Sequence, residues 1–107
     1  MQKVNDNHFI VGAGEHVTVT VTAHGVIQAG ASFVVDSPTL VHPSAAVWEF
    51  DVTAPALHNG IFDFSFPPGT PAGARFTTSL DGSAGGGALD GPSATHDDQP
   101  GVMFEVQ

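Results

Sequence analysis

Along most of this chain apolar and polar side chains alternate one for one, the period expected of β-strands that are buried on one face. Between Glu15 and Ala23 the apolar side chains stand at Val17, Val19, Val21 and Ala23, with His16, Thr18, Thr20 and Thr22 in the positions between them. That pattern predicts an antiparallel strand with a Thr-rich outer face. Val47 to Thr53 repeats it, with Trp48, Phe50 and Val52 on one side and Glu49 and Asp51 on the other. Gly60 to Phe66 does so again: Phe62, Phe64 and Phe66 alternate with Asp63 and Ser65 until Pro67-Pro68-Gly69 ends the strand. Ala31 to Asp36, Ala74 to Leu80 and Val102 to Gln107 read as three further strands, and His8 to Val11 as a weaker one.

Helical periodicity is missing, and 13 Gly and 8 Pro interrupt the chain too often for long helices. The reading is therefore all-β: an immunoglobulin-like antiparallel two-sheet sandwich of about seven strands. A jelly roll or a partly closed barrel would give the same pattern. The immunoglobulin-like label describes architecture only, because the Cys–Trp–Cys signature is missing and a fold carries no function with it. The inward face is expected to comprise Val17, Val19, Val21, Phe33, Trp48, Phe50, Val52, Phe62, Phe64, Phe66, Phe76, Leu80, Phe104 and Val106. Asn59-Gly60, just before the Phe-rich strand, is the dipeptide favoured in a type I′ hairpin turn, although Pro55 leaves a longer connection equally open.

Length and composition fit that picture. A chain of 107 residues makes one domain, 1–107, able to bury roughly 60–70% of its unfolded surface. Residues that are 41% hydrophobic and 12% charged describe a globular chain. Two segments fall outside the alternation. Residues 1–8 are polar and lack the apolar centre of a signal peptide, which leaves export open because a leader is removed on maturation. Residues 81–101 form a Gly/Asp-rich stretch longer than a compact domain usually leaves irregular. It either hides a short hairpin around Ala88-Leu89 or is a functional loop. No apolar run reaches the length of a membrane span.

Charge narrows the partners. Eleven acids face only Lys3 and Arg75, for a net −9, and such a surface repels phosphate backbones and anionic lipid. No nucleic-acid or membrane partner is expected. Few Lys among many Ala, Gly, Thr and Ser suit an extracellular or cell-surface protein.

Candidate chemistry is sparse. With no Cys there are no disulfides, thiolate zinc sites or blue-copper centre. Of six His, three stand in expected loops, His42, His58 and His96, and would bind zinc or copper if those loops gathered at one end. His16 and His24 share one strand but lie too far apart along it to share an ion. Asp81, Asp90, Asp97 and Asp98 in the Gly-rich stretch are candidate calcium ligands, although no D-x-D-x-D-G loop is present. Glu49, Asp51 and Asp63 would line an outer face as a solvated acidic surface rather than as a hydrolase pair, which needs a cleft. No serine stands in G-x-S-x-G or S-x-x-K, and Gly85-Gly86-Gly87 lacks the Lys of a phosphate loop. Trp48 is in phase with the core, not with an exposed sugar platform.

The expected function is thus not enzymatic. It is a binding or adhesion module, exported or surface-displayed, that recognises a glycan or protein through its end loops, with calcium as a candidate ion. Two alternatives stand beside it. One is a self-assembling subunit of a filament, coat or appendage, a homo-oligomer in which Gln2 to His8 adds a strand to a neighbour. The other is a small metal-binding protein built on the loop histidines.

Overall fold

The alternating segments are all strands in the computed structural model, which describes residues 1–25, 30–53 and 57–107. Pro55 lies outside the described residues. The strands among them are β1 (Gln2–Asn5), β2 (His8–Val11), β3 (His16–His24), β4 (Ala31–Val35), β5 (Val41–Ser44), β6 (Val47–Asp51), β7 (Leu57–Phe64), β8 (Arg75–Gly82), β9 (Leu89–Asp90) and β10 (Gly101–Val106). They form two five-stranded sheets, ordered β1-β2-β10-β7-β4 and β5-β6-β3-β8-β9. No strand belongs to both sheets, as in a sandwich and unlike a closed barrel.

The order has an immunoglobulin-like centre. An immunoglobulin constant domain sets strands ABED against CFG. Here β3, β6 and β5 lie as B, E and D do, and β4, β7 and β10 as C, F and G do. The departure is β8 with β9. They follow the F-like strand, cross to the other sheet, and occupy the place beside β3 that strand A would take.

The expected immunoglobulin-like two-sheet sandwich is what the strands form, with two differences in detail. The sandwich is not wholly antiparallel, because β2 runs parallel to β10, with Phe9 opposite Phe104. It also has more strands than the alternation signalled. β1 has one apolar residue, the exposed Val4, β5 carries Pro43 and β9 is two residues long, so none of them shows a period of two.

The core is built from phenylalanines that meet across the layers. Phe9, Phe33, Phe50, Phe62, Phe64, Phe76 and Phe104 are buried, together with Leu80, Val11, Val17, Val19 and Val52. Phe50 of the second sheet meets Phe104 of the first at 5.1 Å between ring centroids, and Phe64 meets Phe76 at 5.3 Å. Such aromatic pairs add about 0.5–1.5 kcal/mol each beyond the area they bury. Phe9, Val11 and Val102 join the expected inward set. Phe66 and Val106, also expected inside, sit half-buried at its margin.

Asn59-Gly60 is not a turn. Both residues lie within β7, opposite Met103 and Val102, and Gly60 has no positive φ. Its role is close packing: a Cβ there would stand 2.9 Å from Phe33 Cε1 and 3.1 Å from Val102 Cγ1. The tertiary requirement for an absent side chain overrides the local preference of the dipeptide.

Residues 81–101 contain the hairpin. Gly85, Gly86 and Gly87 take φ of 98°, 96° and 78°, a left-handed run that only glycines adopt readily. They turn the chain from β8 into β9, where Leu89 pairs with Leu80. Beyond β9 the chain stays tied: Ala94 bridges to Phe76 and Asp98 to Phe64. Buried Thr78 donates its hydroxyl hydrogen to Pro92 O at 2.6 Å.

Gly60→Ala tests the packing argument. Overpacking of this kind costs about 1–3 kcal/mol, so urea unfolding should show a lower midpoint with an unchanged slope. A variant as stable as the parent would mean that the Phe33 ring yields without cost.

Candidate functional site

The candidate calcium ligands are dispersed along the 81–101 stretch. Asp81 pairs with Thr18 at the end of β8, and Asp90 stands in β9 opposite Ser79. Asp97 Oδ1 accepts the Phe66 amide at 2.8 Å, and Asp98 Oδ1 accepts that of Gln99 at 2.9 Å. The three loop histidines also have separate surroundings. His42 lies in β5 with its ring 4.3 Å from that of Trp48. His58 is not in a loop: it faces inward from β7, 3% exposed. Its Nε2 accepts the Thr53 amide at 3.2 Å and its Nδ1 is 3.3 Å from Asp36 Oδ1. His96 lines an open cleft. Among the described residues no three His, Asp or Glu side chains are grouped to hold one ion.

The acidic outer face is narrower than expected. Glu49 and Asp51 share it with His16, whose Nδ1 is 2.7 Å from Asp51 Oδ1 and whose Nε2 is 3.8 Å from Glu49 Oε2. Asp63 belongs to the other sheet, opposite Ser32, so it joins no carboxylate pair with them. Trp48 is 6% exposed, inside as its phase requires.

Two clefts flank the chain segment that follows β9. The first, about 500 Å³, lies where the β7–β8 connection meets residues 95–97. Phe66 and Pro71 give it an apolar wall, and Thr70, Thr95, His96 and Asp97 place polar atoms around it. The second, about 440 Å³, is lined by Lys3, Asp6, His24, Arg75, Thr77, Asp90 and Ser93, among others. Lys3 Nζ is 2.7 Å from Asp6 Oδ1, and His24 Nε2 is 2.9 Å from Thr77 Oγ1. Sequence reasoning missed this second cleft. The rarity of Lys3 and Arg75 was legible, but their meeting requires β1 to be a strand.

A shallower groove of about 370 Å³ runs beside β4, between Val34 and Ile61. Comparison with family models, with curated proteins and with solved structures found no match, so these sites are read from their residues alone.

One buried acid needs separate treatment, since displaced carboxylates often mark function. Glu15 is 5% exposed. Burial pushes its carboxyl upward, but the Gly12 amide at 2.9 Å, the Met1 amino group at 3.1 Å and the Ala84 amide together outweigh that. The net effect holds it below the ordinary value of 4.5. Glu15 lines none of the clefts described above; it ties the turn before β3 to the start of the chain. Gly82 faces it without a side chain because a Cβ there would collide with the carboxylate.

A folded value below the unfolded one means that ionised Glu15 stabilises the fold above pH 4.5, and that this contribution fades as pH falls through the lower folded value. Glu15→Gln should therefore lower stability at pH 7 by about 2 kcal/mol, the size of a charge-assisted hydrogen bond. The gap between variant and parent should narrow on acidification below pH 4.5. Thermal melts across pH 3–7 would read it, and a gap independent of pH would contradict the assignment.

Proposed function

We propose that this domain is a non-catalytic binding or adhesion module, exported or displayed at the cell surface, which takes a glycan in the cleft between the β7–β8 connection and residues 95–97. The observation that carries this reading is the composition of that cleft: an apolar wall from Phe66 and Pro71 beside hydroxyl, imidazole and carboxylate groups. A sugar ring presents the complementary surface, with an apolar face of C–H groups and an edge of hydroxyls. A cleft of about 500 Å³ falls in the range of small-ligand sites. Asp97 Oδ1 is occupied by the Phe66 amide, and a ligand hydroxyl would meet its Oδ2. Recognition of this kind needs neither a bound ion nor a catalytic step.

A second reading has its own observation. Sheet edges invite pairing with other chains and are normally guarded. Here β1 has Lys3 and an irregular register, β5 has Pro43 and an irregular register, and β9 has only two residues. The fourth edge, β4, reads ASFVV with no such device, and its Val34 is 55% exposed beside Ile61 at 40%. A self-assembling subunit would add a strand there. The donor would not be the free segment expected at the N-terminus, because Gln2–Asn5 is already paired with β2 of its own sheet.

A glycan array followed by titration tests the first reading. A hit should weaken at least tenfold in His96→Ala with the melting temperature kept; a blank array would overturn the glycan and leave a protein ligand for the same loops. Light scattering over a concentration series tests the second. Association should fall in Val34→Lys, and a monodisperse monomer at high concentration would remove self-assembly.

A further inference from the structure

The chain has two basic side chains against eleven acids, and both basic side chains line one cleft. They come from different sheets: Lys3 from β1 at the edge of the first, Arg75 from the start of β8 in the second. Lys3 is partly neutralised by Asp6 at 2.7 Å. Arg75 is exposed and forms no ion pair with any carboxylate among the described residues, on a surface rich in them. Its planar fork is thus available for the bidentate contact that guanidinium makes with a carboxylate.

The rest of the lining limits what such an anion can be. Asp90 and Asp6 would repel a phosphate dianion, but as acceptors their carboxylates suit the hydrogens of neutral hydroxyls. Thr77 and Ser93 add hydroxyls that both donate and accept. A ligand with one carboxylate and several hydroxyls satisfies both halves of the cleft. We propose that this cleft binds a hydroxylated monocarboxylate, a hexuronate unit of a glycan, with Arg75 and Lys3 on the carboxylate and Asp90, Thr77 and Ser93 on the ring hydroxyls. The remaining acids of a −9 surface repel a polyanion, so the fitting glycan carries isolated or terminal uronates rather than a continuous run of them. This site does not rest on the reading of the cleft beside His96: it uses different residues and is tested by different variants.

The experiment is an NMR titration of the full chain with glucuronate, and with glucose and acetate at matched ionic strength. Glucuronate should shift the amides of Arg75, Thr77, Asp90 and Ser93 in a saturable way, with glucose and acetate each at least tenfold weaker. Arg75→Gln should lower glucuronate affinity at least tenfold with the remaining spectrum and the melting temperature preserved, whereas His96→Ala should leave it intact. Absence of shifts with glucuronate, equal binding of acetate, or full affinity in Arg75→Gln would each overturn the proposal.

Discussion

The contact between the two sheets through phenylalanine rings is the constraint on which the rest of this structure depends. Phe50 lies against Phe33 at 6.2 Å and against Phe104 at 5.1 Å, so one ring of the second sheet touches two strands of the first. Without cysteines no disulfide joins the layers, and the interlock of large rings must fix their separation and register. Close packing makes that interlock specific, since interiors as dense as crystals tolerate little misfit. Gly60 is one consequence: the ring of Phe33 occupies the space a side chain would need. The small Thr and Ala of the outer faces are another, because almost all the aromatic surface is used inside.

The immunoglobulin-like centre is extended at one edge of the second sheet. β8 and β9 cover the side of β3, and the chain must then return to the first sheet to form β10. The return path is tied by the bridges Phe76–Ala94 and Phe64–Asp98. These hold residues 89–97 along the open side of the sandwich, where they wall one cleft with Asp90 and Ser93 and another with Thr95, His96 and Asp97. A rigid framework with polar groups on a pinned connection is the usual arrangement for recognition.

The inward face was legible because a period of two assigns each residue of a strand to a side. The same parity, run backwards from Phe64 and Phe62, puts Gly60 and His58 inside, and their burial follows it. A local turn preference for Asn59-Gly60 and a view of His58 as a loop residue obscured that signal. β1 had no signal to obscure: QKVN is stabilised by pairing with β2, not by burying a face. The second cleft was illegible for the same reason. Its two cations meet only through the pairing of β1 with β2 and the parallel pairing of β2 with β10, and long-range pairings leave no periodic trace in a sequence.

The charge of the surface bears on both the edges and the clefts. At β4 the local devices that normally prevent strand addition are missing, but Asp36 ends the strand and Asp63 lies opposite Ser32 on its neighbour. Repulsion between copies of net charge −9 acts where Lys or Pro acts on the other edges. Such protection is conditional, since charges farther apart than about 8 Å are screened at physiological ionic strength. Contacts inside a cleft are shorter and partly shielded from solvent, so the same salt that lets acidic surfaces approach would leave more of the proposed contact between Arg75 and a ligand carboxylate in place. The acidic surface thus works against nonspecific association at a distance, while the lone pair of cations provides a short-range exception to it.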